Sequence, residues 1–402
     1  MSETRRTMLM ALGAMPWLSS VLSAGDAPRE LPATAADLGT SFDVVRQIAA
    51  WNAPRSLEPF DAAMRSAVKR EVLGLLQYEP PATPLSPKTV EKVDCGDYVR
   101  ERFEISTTPW FRPAGYLLVP KRRTGRAPAI VDLHSHGGMF LFGKEKVIDL
   151  GDNHPAMTQY HQRNYGGRPT ATELVRRGYV VAVIDAFGFG ERRILLDEDR
   201  RFGWDRSQYS LDDVQQLNAK CRGKESTIAK SLVLAGTTWL GIVNYDDRRV
   251  IDYLQSRDEV DPDRIGCIGI SMGGYRSAYL AALDQRIKAA CVVGFMSTMT
   301  SMLQAHVDTH SWIHFLPGLH RGLDFPDVAS LAAPRSLFVQ QCRQDRLFPL
   351  QGMRDSLERL ATRYAQAGAA GKFRGAFYDE PHHWTTAMQD EAFEWLDQQL
   401  KS

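Results

Sequence analysis

The chain has few cysteines: five among 402 residues, scattered at Cys95, Cys221, Cys267, Cys291 and Cys342, with no C-x-x-C pair. That spacing excludes a disulfide scaffold and a cysteine-rich zinc module, and an odd count leaves at least one thiol unpaired within the chain. An excess of charge of one sign is also missing. Lysine plus arginine (49) nearly equals aspartate plus glutamate (48), a net charge of +1. No basic surface for nucleic acid or anionic lipid is indicated. Internal repeats, low-complexity tracts and apolar runs long enough for a good membrane span are absent as well. What is present, 44% hydrophobic and 24% charged residues, makes an ordinary globular chain with material for one large core or two small ones.

The first residues read as an address. Arg5 and Arg6 precede a short apolar stretch, Met8 to Ala24, interrupted by serine and proline. Paired arginines before a modest hydrophobic run resemble a twin-arginine export signal. Met8 stands where such signals often carry phenylalanine, and cutting after Gly25 or Ala27 places small residues at both critical positions. Residues 1–27 are therefore expected to be an export signal and the mature protein to be periplasmic or secreted. No cysteine precedes Cys95 to carry a lipid, so no membrane anchor is expected after signal removal.

Residues 28–87 read as a helical extension and linker. Val44, Val45, Ile48 and Ala49, then Met64, Val68, Val72 and Leu75, recur at three-to-four spacing, and the Pro-rich stretch 78–87 follows. Three strand-like runs come next: Thr89–Val93, Val99–Thr107 and Gly115–Val119. The rhythm then changes. Ala129–Leu133, Val180–Ile184, Arg264–Ile270, Ala289–Val293, Ser336–Gln341 and Phe373–Tyr378 are apolar runs separated by helical patterns at Ala171–Arg177, Thr238–Gln255, Met272–Leu283, Leu350–Ala367 and Thr385–Leu400. Strands apolar on both faces and alternating with helices predict an α/β fold: a mostly parallel sheet between helix layers, with an antiparallel N-terminal edge. Stretches 139–168, 191–232 and 295–332 are long for plain connections and read as lids with helices of their own.

Gly269-Ile270-Ser271-Met272-Gly273 is a G-x-S-x-G pentamer. By itself it is a weak signal in a chain with 31 glycines. Its place between an expected strand and an expected helix strengthens it, because glycines permit the tight turn and the helix N-terminus favours a negative oxygen. A serine needs a base, and the base needs a carboxylate to hold its tautomer. In a parallel sheet these groups belong just past later strand ends. The strand at 335–341 exits towards Asp345, and that at 373–380 towards His382 and His383. His382 is preferred and His383 kept as the alternative. Asp379 and Glu380 lie too close in sequence to orient it.

An oxyanion needs two backbone N–H donors, one from the residue after the nucleophile and one from the loop after an early central strand. Met272 is the first expected donor. Gly138, in His134-Ser135-His136-Gly137-Gly138-Met139, is the second, with Gly137 or Met139 possible by register. Asp132-x-His134-x-His136 is also similar to the first metal-binding strand of amidohydrolase barrels. His306, His310 and His314, four apart, could share one helical face. About a hundred mature residues precede that His pair, and later strand ends carry a serine, an aspartate and a histidine instead of metal ligands. The metal reading is therefore subordinate, and neither metal nor organic cofactor is expected.

From about residue 89 onward the chain resembles the α/β-hydrolase superfamily, more narrowly its bacterial acetyl-xylan-esterase-like and dienelactone-hydrolase-like branch. The resemblance rests on HSHGG followed by FGKEK, RRGYVVAVIDAFGFGER (176–192), the segment 247–275 around GISMGGY, APRSLFVQQCRQDRLFP (333–349) and EPHHWTTAMQDEAFEWLDQQL (380–400). It implies a catalytic domain over 88–402, with Ser271 as nucleophile, Asp345 as acid and His382 as base. The implied substrate is a small-molecule or carbohydrate ester. Dienelactone hydrolases use a cysteine nucleophile; here a serine stands in its place. A prolyl-oligopeptidase-like peptidase is the rival within hydrolases, and a degenerate binding module the non-enzymatic one.

Overall fold

The computed structural model describes residues 41–194, 196, 206–303 and 306–401. The twin-arginine-like segment lies outside them. The chain divides into two compact units between Trp51 and Asn52. The described part of the first is a single helix, α1 (Ser41–Trp51).

The second unit begins with α2 (Ala62–Leu76), whose N-cap Asp61 accepts from the Met64 amide. Pro54 and Pro59 stand between the two helices and break the helical pattern expected across 40–78. Val68, Val72 and Leu76 bury α2 in the core of this unit. The Pro-rich stretch after it is strapped down as well: the Ser106 amide donates to Leu85 O, and Arg249 donates to Thr83 O.

Among the described residues nine strands form one sheet: β1 (Lys88–Asp94), β2 (Tyr98–Glu104), β3 (Ala114–Pro120), β4 (Ala127–Asp132), β5 (Val180–Ile184), β6 (Val260–Ile270), β7 (Ile287–Val293), β8 (Ser336–Cys342) and β9 (Phe373–Tyr378). Their order is β1-β2-β3-β5-β4-β6-β7-β8-β9. Pairing is antiparallel from β1 through β3 to β5, and parallel from β5 across to β9. This is the mostly parallel sheet with an antiparallel N-terminal edge that the sequence predicts.

Alternation builds two cores. Ala129 and Val131 of β4 and Val180, Ala182 and Ile184 of β5 feed one face, whereas Ile130, Val181 and Val183 feed the other. The first face is covered by α2, α6 (Trp239–Gln255), α7 (Met272–Leu283), α9 (Phe325–Ser330) and α10 (Leu350–Gln366). The second is covered by α3 (Pro155–Tyr165), α4 (Thr170–Arg176) and α11 (Thr386–Leu400).

The three long connections carry helices: α3 in the first, most of α5 (Leu211–Leu234) in the second, and α8 (Met299–Met302) with α9 in the third. The expected helical face for His306, His310 and His314 is not formed. That segment folds into short 3-10 turns, Val307–Thr309 and Trp312–His314. No disulfide joins the five cysteines, four of which are buried. No single helix among the described residues is long and apolar enough to cross a membrane.

Asp132 ends β4. Its Oδ2 accepts from Thr170 Oγ1 of α4 at 2.6 Å, while Oδ1 is buried without a partner among the described residues. Burial pushes this carboxyl up to about 7, against the opposing pull of the Thr170 bond and Arg276. The unfolded side chain ionises near about 4. Between those values the unfolded state has released a proton that the folded state retains, so stability falls as pH rises through that window and stays lower above it. Asp132→Asn removes the ionisation. The variant is expected to gain roughly 2–3 kcal/mol relative to wild type on going from pH 5 to pH 8. Urea unfolding at the two pH values measures it; an equal offset at both would show a carboxyl ionised throughout.

Candidate active site

Strand β6 ends at Ile270 and α7 starts at Met272, leaving Ser271 as the hinge of a sharp turn with φ 59° and ψ −123°. A non-glycine residue held there costs on the order of 1–3 kcal/mol. Its backbone is clamped from both sides: Ser271 N–H donates to Val293 O at 2.8 Å, and Tyr275 N–H donates to Ser271 O at 2.9 Å. The flanking glycines are steric necessities. A Cβ on Gly273 would lie 1.8 Å from Leu133 O, and one on Gly269 2.5 Å from the same oxygen. Among the described residues nothing hydrogen-bonds the Ser271 hydroxyl.

Asp345 follows β8 and His382 follows β9. The His382 Nδ1–H donates to Asp345 Oδ2 at 2.6 Å, and the other carboxylate oxygen accepts from the Leu347 amide at 2.8 Å. The Asp345 side chain is fully buried, while that of His382 keeps 21% of its surface exposed. The imidazole lies over Gly294 at the end of β7, where a Cβ would come within 3.3 Å of His382 Cε1. His383 turns away to Glu380, with Nε2 3.0 Å from Oε2. With Nδ1 bound to Asp345, the His382 Nε2 is left as a proton acceptor. Ser271 and His382 line one cleft of ≈ 580 Å³ without a hydrogen bond between them.

The loop after β4 lines the same cleft through His136, Gly137 and Gly138. Here one expectation needs correction. The Gly138 amide is spent inside the loop, donating to His136 Nδ1 at 3.0 Å, and the Met139 amide donates to His136 O at 3.2 Å. The amides of His136 and Gly137 have no acceptor among the described residues. Met272, at the first position of α7, has no acceptor in its own helix either.

The residues expected as metal ligands do not converge. His134 is held between Ser135 O and the Ala186 amide, whereas His136 is held between the Gly138 amide and Glu225. Among the described residues no group of three or more His, Cys, Asp or Glu is arranged to hold a metal ion.

A family model described as the Abhydrolase family matches residues 44–358. The chain belongs to this family. A relative from Bacillus subtilis (strain 168), YtaP, assigned as a hydrolase, is 30% identical over 346 residues, 84% of this chain and all of the relative. Among solved structures, a Bacteroides fragilis protein assigned as an acetyl xylan esterase overlays with a TM-score of 0.62 at 19% identity, covering 84% of this chain and 82% of that one. A glucuronoyl esterase from Solibacter usitatus overlays with a TM-score of 0.57 at 14% identity, covering 84% and 94%. These overlays establish the fold. The protein is thus a hydrolase of the Abhydrolase family.

Several residues of this Abhydrolase site carry no signal in the sequence. Glu225 and Arg222 come from α5, a helix hidden because its buried stripe (Val214, Leu217, Cys221, Glu225, Ala229) is narrow and includes a carboxylate. Glu225 Oε1 receives His136 Nε2–H at 3.2 Å and Ser311 Oγ–H at 2.6 Å. Burial holds the His136 pKa below the usual histidine range, against the opposing pull of Glu225. The ring's Nδ1 accepts the Gly138 amide proton, as only a neutral imidazole can. Two further inserts are joined this way to the loop after β4.

Lys146 holds the same loop from below. It is fully buried, and its Nζ donates to Ser135 O at 2.7 Å and to His136 O at 2.9 Å. Phe189 lies 4.7 Å from the ammonium, ring centroid to nitrogen. Burial holds its pKa well below the usual lysine range, against the pull of Asp185 and Glu145. Lys146→Met removes both hydrogen bonds and leaves Ser135 O with only the His134 ring and His136 O with only the Met139 amide as donors, a loss of about 0.5–1.5 kcal/mol per bond. The variant is expected to unfold at lower denaturant and, where folded, to lose kcat while KM stays near wild type. Guanidinium unfolding and steady-state kinetics check both; an unchanged kcat would show that the loop holds its shape without this anchor.

Proposed function

We propose that this Abhydrolase-family enzyme is an exported carboxylic-ester hydrolase acting through Ser271, His382 and Asp345. The observation that carries the reading is the 2.6 Å bond from His382 to the buried Asp345 at the rim of the cleft that also holds Ser271. In this reading His382 Nε2 removes the Ser271 proton as the hydroxyl oxygen attacks the ester carbonyl carbon. Asp345 stabilises the imidazolium that results. The tetrahedral oxyanion is met by the Met272 amide and by the unspent amides of the 136–137 segment. The imidazolium then protonates the departing alcohol oxygen, leaving an acyl-serine. Water, deprotonated by His382, attacks that acyl carbon and frees the acid.

A hydroxyl-rich ester suits the cleft. His310 and His314 each donate Nδ1–H to a main-chain carbonyl, His306 O at 2.7 Å and Ser311 O at 3.2 Å. Their Nε2 atoms are buried acceptors without a partner among the described residues. Both rings line the cleft, with Trp312, 41% exposed, beside them. Aromatic faces and hydrogen-bond acceptors are the usual means of holding a sugar. The acetyl xylan esterase and glucuronoyl esterase overlays support a carbohydrate ester as the substrate.

A fluorophosphonate probe is expected to label wild type and not Ser271→Ala; equal labelling would remove the reading. Asp345→Asn should keep the fold and lose about 10³–10⁴-fold in kcat on 4-nitrophenyl acetate. An unchanged kcat would mean that another carboxylate orients His382. The same ester set against a proline anilide separates esterase from peptidase. For export, Arg5→Lys combined with Arg6→Lys should leave the protein in the cytoplasmic fraction of a bacterial host. Unaltered export would show that the arginine pair is not the signal.

A further inference from the structure

A second cleft of ≈ 540 Å³ lies beside the first and shares Gly137, Gly138 and Arg222 with it. The two glycines form the ridge between the clefts, with φ values of +55° and +68°. Absence of side chains keeps that ridge low. A Cβ on Gly137 would sit 1.9 Å from the Tyr160 hydroxyl, and one on Gly138 would sit 2.9 Å from Arg222 Nη2. The Arg222 guanidinium therefore rests against the ridge, within reach of both spaces.

Among the described residues this guanidinium has no ion pair and no hydrogen bond. Glu225, one turn further along α5, is already committed to His136 and Ser311. Arg163 of α3 lines the second cleft and is likewise unpaired, touching only the face of the Tyr160 ring at 5.9 Å. The single carboxylate among the lining residues is Asp212. It lies in the first turn of α5, where the helix N-terminus already favours a negative charge. Asp308 lines the first cleft and not the second. Among the described residues, the second cleft thus offers two unpaired guanidiniums against one self-compensated acid. A guanidinium is a fork suited to two carboxylate oxygens.

We propose that the ester cleaved at Ser271 carries a carboxylate in its non-reacting part, received by Arg222 and Arg163 beyond the Gly137–Gly138 ridge. This names the substrate class for the Ser271 reading and rests on it. A uronate-containing saccharide ester fits both the acceptor-lined first cleft and the cationic second one.

The test is titration calorimetry with two probes, a galacturonate trisaccharide and the neutral galactose trisaccharide of the same linkage. The acidic probe should bind about tenfold or more tightly than the neutral one at low salt, with the gap narrowing as salt rises. Arg222→Met and Arg163→Met should each reduce the acidic-to-neutral ratio by about fivefold or more, an effect the ratio isolates from any general loss of binding. Arg176→Met, an exposed arginine of α4 paired with Glu173 outside both clefts, should leave the ratio alone. Equal affinity for the two probes, no binding of either, or a ratio that survives in both variants would overturn the proposal. A parallel 4-nitrophenyl acetate assay of Ser271→Ala keeps the two readings apart. Lost turnover without a charge preference sinks only the carboxylate, whereas retained turnover sinks the role of Ser271.

Discussion

Leu133's carbonyl oxygen occupies the space that a Cβ on either Gly269 or Gly273 would need. The end of β4 therefore presses main chain to main chain against the turn between β6 and α7, and two consequences follow. Ser271 is held in a strained conformation between that contact and the Val293 carbonyl. The loop leaving β4, with its free amides, is brought beside the serine. The helix behind the turn gives no room for retreat, since every residue of α7 is buried. Arg276 of that helix, itself buried, pairs with Asp247 of α6 at 2.6 and 3.0 Å and reaches His134 O at 3.4 Å. The strain at Ser271 persists because packing on three sides over-determines it.

Around this contact the structure spends charge freely. Lys144 is buried with Asp185 at 2.8 Å and Glu191 at 2.8 Å, and Arg206 binds Glu145 at 2.6 Å. Burying such ions rarely gains net stability over apolar packing. What they fix here is position: the segment 143–147 that carries Lys146 is tied to the end of β5 through Asp185, which also accepts from the Lys144 and Glu191 amides. From above, Asn218 Oδ1 of α5 accepts from the Phe140 and Leu141 amides at 2.7 and 3.0 Å. The loop after β4 is thus pinned by the sheet below and by an insert above, so a shift of α5 would be felt at the amides proposed to meet the oxyanion.

The sheet was legible because both helix layers demand apolar residues on both strand faces, and such runs stand out between polar helical surfaces. The strand ends could then be read for chemistry, and Asp345 and His382 do meet. The sequence preferred His382 over His383 without excluding the latter, and it is His382 that meets the aspartate. The choice depends on how the turn after β9 rotates, and Glu380 draws His383 the other way. Gly138 was misjudged for a similar reason. A glycine in the loop after an early central strand reads as a free amide, whereas here the ring of His136, two residues earlier, folds back and accepts that N–H. The inserts were the least legible. Their helices bury narrow stripes against one another and the loops, so α3 and α5 lack the broad apolar face that periodicity detects.

This division has a functional logic. The groups proposed for bond cleavage come from strand ends whose positions the sheet dictates to within a small tolerance. The groups proposed to face the rest of the substrate (Arg222, Arg163, His310, His314, Trp312) all come from the inserts. An insert can change its lining residues without disturbing the contact between Leu133 and the glycine turn, so specificity can vary while the chemistry stays in place. In this chain the two are nonetheless coupled at one point. His136 contributes backbone to the loop beside Ser271 and gives its ring proton to Glu225 of α5. A substrate that moves α5 by engaging Arg222, three residues before Glu225, would pull on that bond. Recognition of the distant group would then be communicated to the amides proposed to meet the oxyanion, through a single turn of helix and one imidazole.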